Sequence, residues 1–289
     1  MKIVNKYKKT ALIAGIVVIF SSCGQEDQPK ESQLDFNQPI RTELDNWIVK
    51  NYLNPYNINT LYKWNQNTVD NSRFLFPPTI DKVQPALEIV KKIWLKSYET
   101  IGGADFVKKI APREFVLVGG VNSNESGTRI LGIAEGGQRI TLFEVDYLDN
   151  KKREIVKEFV HTIQHEYIHI LNQTKPFDEQ AWAKITPSGY TAIWHLDSDA
   201  KSRELGFITS YARSNIVEDF AETASVILIN TKQDYEAILA GIGSEKARND
   251  IKKKEAIVVK YFKDTFNMDF YALRDEAEKN TTDVIKGNY

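Results

Sequence analysis

The chain has 289 residues, 42% of them hydrophobic and 11% aromatic, which is enough for a substantial buried core and too apolar for a disordered chain. A formal net charge of −1, with 27% charged residues, lacks the basic excess that nucleic-acid binding requires, so no nucleic-acid partner is expected. The single cysteine excludes an internal disulfide framework, and no repeat or low-complexity tract is present.

Residues 1–22 read as a signal peptide: Lys2, Lys6, Lys8 and Lys9 precede an uncharged run from Ala11 to Phe20, then Ser21 and Ser22. That run is too short for the ~20 residues that span a bilayer core. Cys23, following two small residues, is either an idle thiol or the lipid-bearing first residue of the mature chain, and its position argues for lipid. Residues 23–39, rich in Gln, Asp, Glu, Ser and Pro, make a flexible tether, and residues 40–289 are assigned to one domain.

Within that domain the spacing of Leu44, Trp47, Ile48 and Tyr52 predicts a helix over 43–53, ended by Pro55. A strand follows over 58–64. Pro77-Pro78 breaks the chain, and Val83, Leu87, Val90, Ile93, Trp94 and Tyr98 then mark a helix over 81–100, stopped by Gly102-Gly103. A short helix over 105–110 precedes a strand at 114–118. Two further strands, 129–134 and 139–145, are joined through Glu135-Gly136-Gly137-Gln138 as a hairpin.

The next element carries chemistry. Residues 151–172 read as a helix whose apolar side includes Ile155, Phe159, Val160, Ile163, Ile170 and Leu171, and it contains His165-Glu166-Tyr167-Ile168-His169. Histidines four apart share one helix face one turn apart, so both imidazoles can grip one Zn²⁺. Glu166 projects beside them, placed to take a proton from a water next to the metal as general base. A rigid, half-buried helix is the support such a site needs. His161, a turn earlier, fits an outer or surface role better than ligation.

The third protein ligand is sought among later carboxylates and histidines. His195 is one candidate. The stronger is Glu218, in a helix that begins at Ser214 or Asn215 and continues into the apolar run 224–229. Glu222 shares its face, as the carboxylate that would receive the far ring N–H of a liganding histidine, although the two glutamates could exchange roles. Further helices are expected at 234–240, 245–262 and 271–279, with Lys252-Lys253-Lys254 on a wet face. Strands first and helices last is an α+β pattern: a small mixed sheet, the metal-site helix, then a mostly helical C-terminal part.

The pattern His165-Glu166-x-x-His169 with Tyr211, Glu218 and Glu222 resembles the gluzincin arrangement, and 211–222 is similar to a stretch of anthrax lethal factor. In that resemblance Glu218 matches the zinc ligand, and Tyr211 a tyrosine whose hydroxyl stabilises the oxyanion. More broadly, Pro55-Tyr56-Asn57-Ile58, Tyr62-Lys63-Trp64, Phe76-Pro77-Pro78, Gly132 to Gly137, His165 to Gln173 and Glu218 to Glu222 resemble the zinc-binding metallopeptidase lipoproteins associated with substrate import in Bacteroidetes-type bacteria. One departure is Asn172, where that pattern has His. The resemblance implies a zincin-like fold with an edge strand, 129–134 or 139–145, lining the cleft. It also implies a TonB-dependent importer and its surface lipoprotein as partners. Gln25-Glu26-Asp27 resembles the acidic signal for outer-surface export, so an outer-membrane location on the cell envelope is expected.

Three functions compete: a zinc metallopeptidase acting on peptides or proteins, a surface module that binds without turnover, and a hydrolase of a non-peptide bond. Glu166 speaks against the second, because a purely structural zinc site has no use for a general base. The motif activates water; it does not name the scissile bond.

Overall fold

The structure, a computed structural model, describes residues 40–125 and 127–288. The expected signal peptide 1–22, tether 23–39 and Cys23 lie outside the described residues. The described residues from Thr42 onward form one compact unit. No helix among the described residues is long and apolar enough to cross a membrane.

The first helix, α1 (residues 43–56), opens on a capping box in which Thr42 and Asp45 satisfy each other's backbone N–H. The sequence predicted that Pro55 would end it. Instead a π-helical turn, Val49–Leu53, precedes the proline, and the chain leaves only after Tyr56, where Asn57 turns left-handed at φ 56°. A wider turn leaves room for a ring that would otherwise strike the carbonyl four residues back. The second helix, α2 (residues 80–102), also contains a proline, Pro85, and a π turn, Val90–Leu95. A short α3 (Ala104–Ile110) follows.

Strands β1 (Asn59–Leu61), β2 (Glu114–Leu117), β5 (Gly132–Glu135) and β6 (Arg139–Leu142) form a sheet in the order β1-β2-β6-β5. The first three of that order run parallel, and β5 pairs antiparallel with β6 across the expected Gly136-Gly137 turn. The strand expected over 129–134 is divided at Leu131: β4 (Arg129–Ile130) joins β3 (Asn122–Ser123) in a separate ribbon, and β5 forms the edge of the main sheet. Of the two candidates for an edge strand, 139–145 is therefore interior.

The metal-motif helix, α4 (Arg153–Thr174), packs against β5. Its far side is fixed in the core. Tyr167 meets Trp94 and Tyr98 edge-on at 4.7 and 4.9 Å, and the Tyr98 hydroxyl donates to Gln164 Oε1 at 3.0 Å. Between α4 and the next long helix lie α5 (Glu179–Ala183), α6 (Asp199–Arg203) and single turns at Trp194–Leu196 and Tyr211–Arg213, none of which shows a periodicity to predict it. Then α7 (Ile216–Leu228) crosses α4, capped by Asn215, whose side chain accepts from the N–H groups of Val217 and Glu218. Helices α8 (Lys232–Ala240), α9 (Glu245–Phe266) and α10 (Phe270–Ile285) complete the α+β chain.

One expectation is corrected here. Lys254 is not on a wet face: it is fully buried, 2.7 Å from the equally buried Asp219, and donates to the Gly206 carbonyl at 2.8 Å. A charge buried this deeply persists only when paired, and the flanking Lys252 and Lys253 do remain at the surface.

Candidate metal centre

Two elements bring the polar residues together. His165 and His169 project from one face of α4, and Glu218 comes from the first turn of α7. His165 Nε2 lies 2.9 Å from Glu218 Oε2 and 3.0 Å from His169 Nε2, and the third edge, His169 Nε2 to Glu218 Oε2, is 3.2 Å. Tetrahedral zinc with bonds of ~2.0–2.1 Å sets its ligand atoms roughly 3.3 Å apart. The observed triangle is slightly tighter.

The donor set fits a cation chemically as well. Two imidazole nitrogens and a carboxylate oxygen converge on one point, and without a positive centre their lone pairs would repel. Burial by itself pushes the His165 imidazole toward the neutral form, yet Glu218 and Glu222 outweigh it and hold His165 well above its ordinary range. Glu218 is likewise pushed up by burial but held down by the two imidazoles, at about 2.

Glu222, one turn beyond Glu218, is almost completely buried. Its Oε1 approaches His165 Nδ1 at 2.8 Å and His161 Nε2 at 3.3 Å, both off the line of the ring N–H, while Oε2 accepts from the Thr209 hydroxyl at 2.6 Å. A carboxylate on Nδ1 favours the tautomer that leaves Nε2 bare for a metal. Glu218 thus lies on the Nε2 side of His165 and Glu222 on its Nδ1 side. His161 meets Glu222 from the cleft side. His195 is exposed on its turn and belongs to neither of the two groups, His165–His169–Glu218 and His161–His165–Glu222, whose donor atoms lie close enough to share an ion.

Glu166 stands outside both groups. It is buried, which pushes its carboxyl up, and it receives the Ala134 backbone N–H from the edge strand β5. Gly132 makes that approach possible: a Cβ there would lie 2.5 Å from Thr162 Cγ2 and 3.0 Å from Glu166 Cγ. Tyr211 lies across the cleft, its ring 5.7 Å from that of His165 and 4.8 Å from Trp194. Burial and then Glu218 push its phenol up, so the hydroxyl stays protonated as a donor.

Sequence reasoning missed Thr209, Trp194 and the pair Asp219–Lys254. Asp219, adjacent to Glu218, accepts from Trp182 Nε1–H and the Tyr190 hydroxyl, both at 2.9 Å, as well as pairing with Lys254. An acidic residue within a run as apolar as α7 was the available signal.

A small sheet, a helix bearing His-Glu-x-x-His and a crossing helix that supplies a glutamate define a zinc-binding metallopeptidase by class. Residues 37–271 match the family described as "Putative zinc-binding metallo-peptidase". A crystallised protein of the same description, from Bacteroides caccae, is 33% identical, with a TM-score of 0.70, over 85% of this chain and 95% of that one. The chain belongs to this family, whose cofactor is zinc. No curated protein matches the chain.

Proposed function

We propose that the protein hydrolyses peptide bonds in proteins or peptides, with His165, His169 and Glu218 holding zinc. The observation that carries this reading is the convergence of those three donor atoms beside a buried glutamate that is not needed as a ligand. Bound there, zinc supplies positive charge that acidifies water and polarises a carbonyl.

The chain's own residues divide the remaining work. Glu166, its carboxyl pushed up by burial, takes the proton of the attacking water and passes it to the departing amine. Tyr211 offers its hydroxyl to the oxygen on which charge develops. Glu222 keeps His165 oriented. The outer side of β5 gives an extended peptide a backbone to pair with: Phe143 N–H bonds to the Leu131 carbonyl, so by alternation Gly132 and Ala134 turn their polar groups away from β6. With the Ala134 N–H taken by Glu166, the Gly132 groups and the Ala134 carbonyl are those on offer.

Zinc content and cleavage of a proteome-derived peptide library test the reading together. Glu166→Gln should keep its zinc and lose about 10²–10⁴-fold in turnover. In the same assay Tyr211→Phe should lower kcat more than it raises KM, because its hydrogen bond forms mainly in the transition state. Unchanged turnover in Glu166→Gln would remove the mechanism.

The reading also places the enzyme at the cell envelope as an outer-membrane lipoprotein anchored through Cys23, working beside a TonB-dependent importer and its surface lipoprotein. Its supports are the charged and apolar runs before Cys23 and the acidic residues after it. Fatty-acid labelling should tag the wild type and not Cys23→Ala, and a variant that stays equally membrane-bound would place the anchor elsewhere.

A further inference from the structure

Beside the metal cleft lies a second cavity, of about 260 Å³, between the residues that flank the β5–β6 hairpin (Arg129, Leu131, Phe143 and Glu144), Tyr147 and Leu148, and the first half of α4. It is separate from the cleft that contains His165 and Glu166, which measures about 630 Å³, but Arg129, Leu131 and Thr162 line both. The inner wall is apolar, formed by Leu131 and Phe143 from the strand side and Ile155 and Phe159 from the helix. With less than the ~300–1,000 Å³ that encloses a whole small ligand, it has room for part of a larger one.

At the mouth one arginine is paired with two carboxylates. Arg129 donates from Nε to Glu144 Oε1 at 2.9 Å, pairs with the other Glu144 oxygen, and reaches Glu158 Oε1 at 3.3 Å. Glu144 holds its place in a left-handed conformation, φ 61° and ψ 25°, uncommon for a residue other than glycine. Strain of this kind collects at binding sites. Arg129, flanked by two carboxylates, is already paired and leaves a rim that does not attract an anion, and the apolar wall offers a charge no partner. A neutral, apolar group is what such a cavity takes.

We propose that this cavity is the subsite for an aliphatic or aromatic side chain of the substrate residue next to the scissile bond, so that the enzyme selects peptides with a large apolar residue there. The inference rests on the peptidase reading above. Adjacency supplies the geometry: Arg129, Leu131 and Thr162 border both the cleft and the cavity, and a peptide lying along β5 runs on past Leu131. A neighbouring side chain then has one apolar recess to enter, and burying it contributes in proportion to its carbons.

The test uses the zinc-loaded protein and three metal-binding hydroxamates that differ only in a methyl, isobutyl or benzyl group, with affinities measured by calorimetry. The isobutyl probe should bind wild type roughly tenfold or more tightly than the methyl probe, the gain expected from burying three further carbons with some loss to ordering. Ile155→Trp, which fills the cavity from a partly exposed position ten residues from His165, should remove most of that advantage and leave the methyl probe unchanged. Ile155→Ala tests the cavity in the other direction, by enlarging it, and should extend the preference to benzyl. Cleavage of the peptide library by wild type should show large apolar residues on one side of the cut, a bias that Ile155→Trp shifts toward small ones. Equal binding of methyl and isobutyl probes, or equal weakening of both by Ile155→Trp, overturns the subsite even where the library is cut. A wild type that binds the probes with the expected preference and cuts no peptide overturns the peptidase reading instead, and the substrate assignment with it.

Discussion

At the scale of single residues, Glu222 shows why a ligand set is only half of a metal site. Its carboxylate touches His165 on the nitrogen away from the metal point, receives Thr209, and is held well below the ordinary carboxylate range: burial opposes this, but the His161 and His165 imidazoles prevail. Removing it does more than delete a contact. Nδ1 of His165, nearly inaccessible to water, would lose its partner, and nothing would then fix which ring nitrogen carries the proton. Glu222→Ala should therefore weaken zinc binding about 10–100-fold while His165, His169 and Glu218 are all still present. Competition with a chromogenic chelator measures this directly. Wild-type affinity in Glu222→Ala would mean that the packing of α4 alone orients the imidazole.

At the scale of elements, the position of Glu218 depends on how α7 is held, and the neighbouring residue holds it. Asp219 faces away from the metal point into a dry pocket with Lys254 of α9, Trp182 of α5 and Tyr190, while Lys254 lies 3.8 Å over the Phe207 ring. Burial pushes the Asp219 carboxyl up and the Lys254 ammonium down, each opposed by its partner. Lys254→Met keeps the stem but strands the carboxylate, which should cost about 3–5 kcal/mol in urea unfolding, as for other broken buried pairs. The double variant Asp219→Asn/Lys254→Met should recover much of that loss. An unchanged urea midpoint for Lys254→Met would show that the pair contributes nothing.

The same elements show what a sequence makes legible. Helix α4 announces itself through apolar periodicity and histidine spacing, and α7 through Asn215 and the apolar run behind it, because both signals are local. Residues 175–213 offer no such signal. Their short helices and turns have too few residues for a period, yet they place Trp182, Trp194 and Thr209 around the site. Lys254 was misread because its immediate neighbours are lysines, while its burial depends on Asp219, 35 positions earlier in the chain. Gly132 reads as a turn or bulge residue in isolation. Only the approach of β5 to Glu166 explains it.

At the scale of the whole molecule, α4 is common to two bodies of packing. One side of it is locked by Trp94 and Tyr98 of α2 and by the sheet, and the other meets α7, which is itself held by α9 and α10. A metal bound by His165, His169 and Glu218 therefore ties the sheet-bearing part to the helical part through its coordination. Since the three donors meet only in the folded chain, binding adds to stability by mass action, about 4 kcal/mol when free zinc exceeds its dissociation constant a thousandfold. For a domain of this size 1 kcal/mol moves Tm by roughly 2–4 °C, so a chelator should lower the melting temperature by about 10 °C. Glu218→Ala, with a carboxylate arm gone and zinc bound weakly, should melt at nearly the same temperature with and without chelator. Calorimetric scans of both proteins decide the matter. If wild type melts identically in zinc and in chelator, the metal does not bridge the two parts. If Glu218→Ala keeps the full chelator response, the third ligand is another residue.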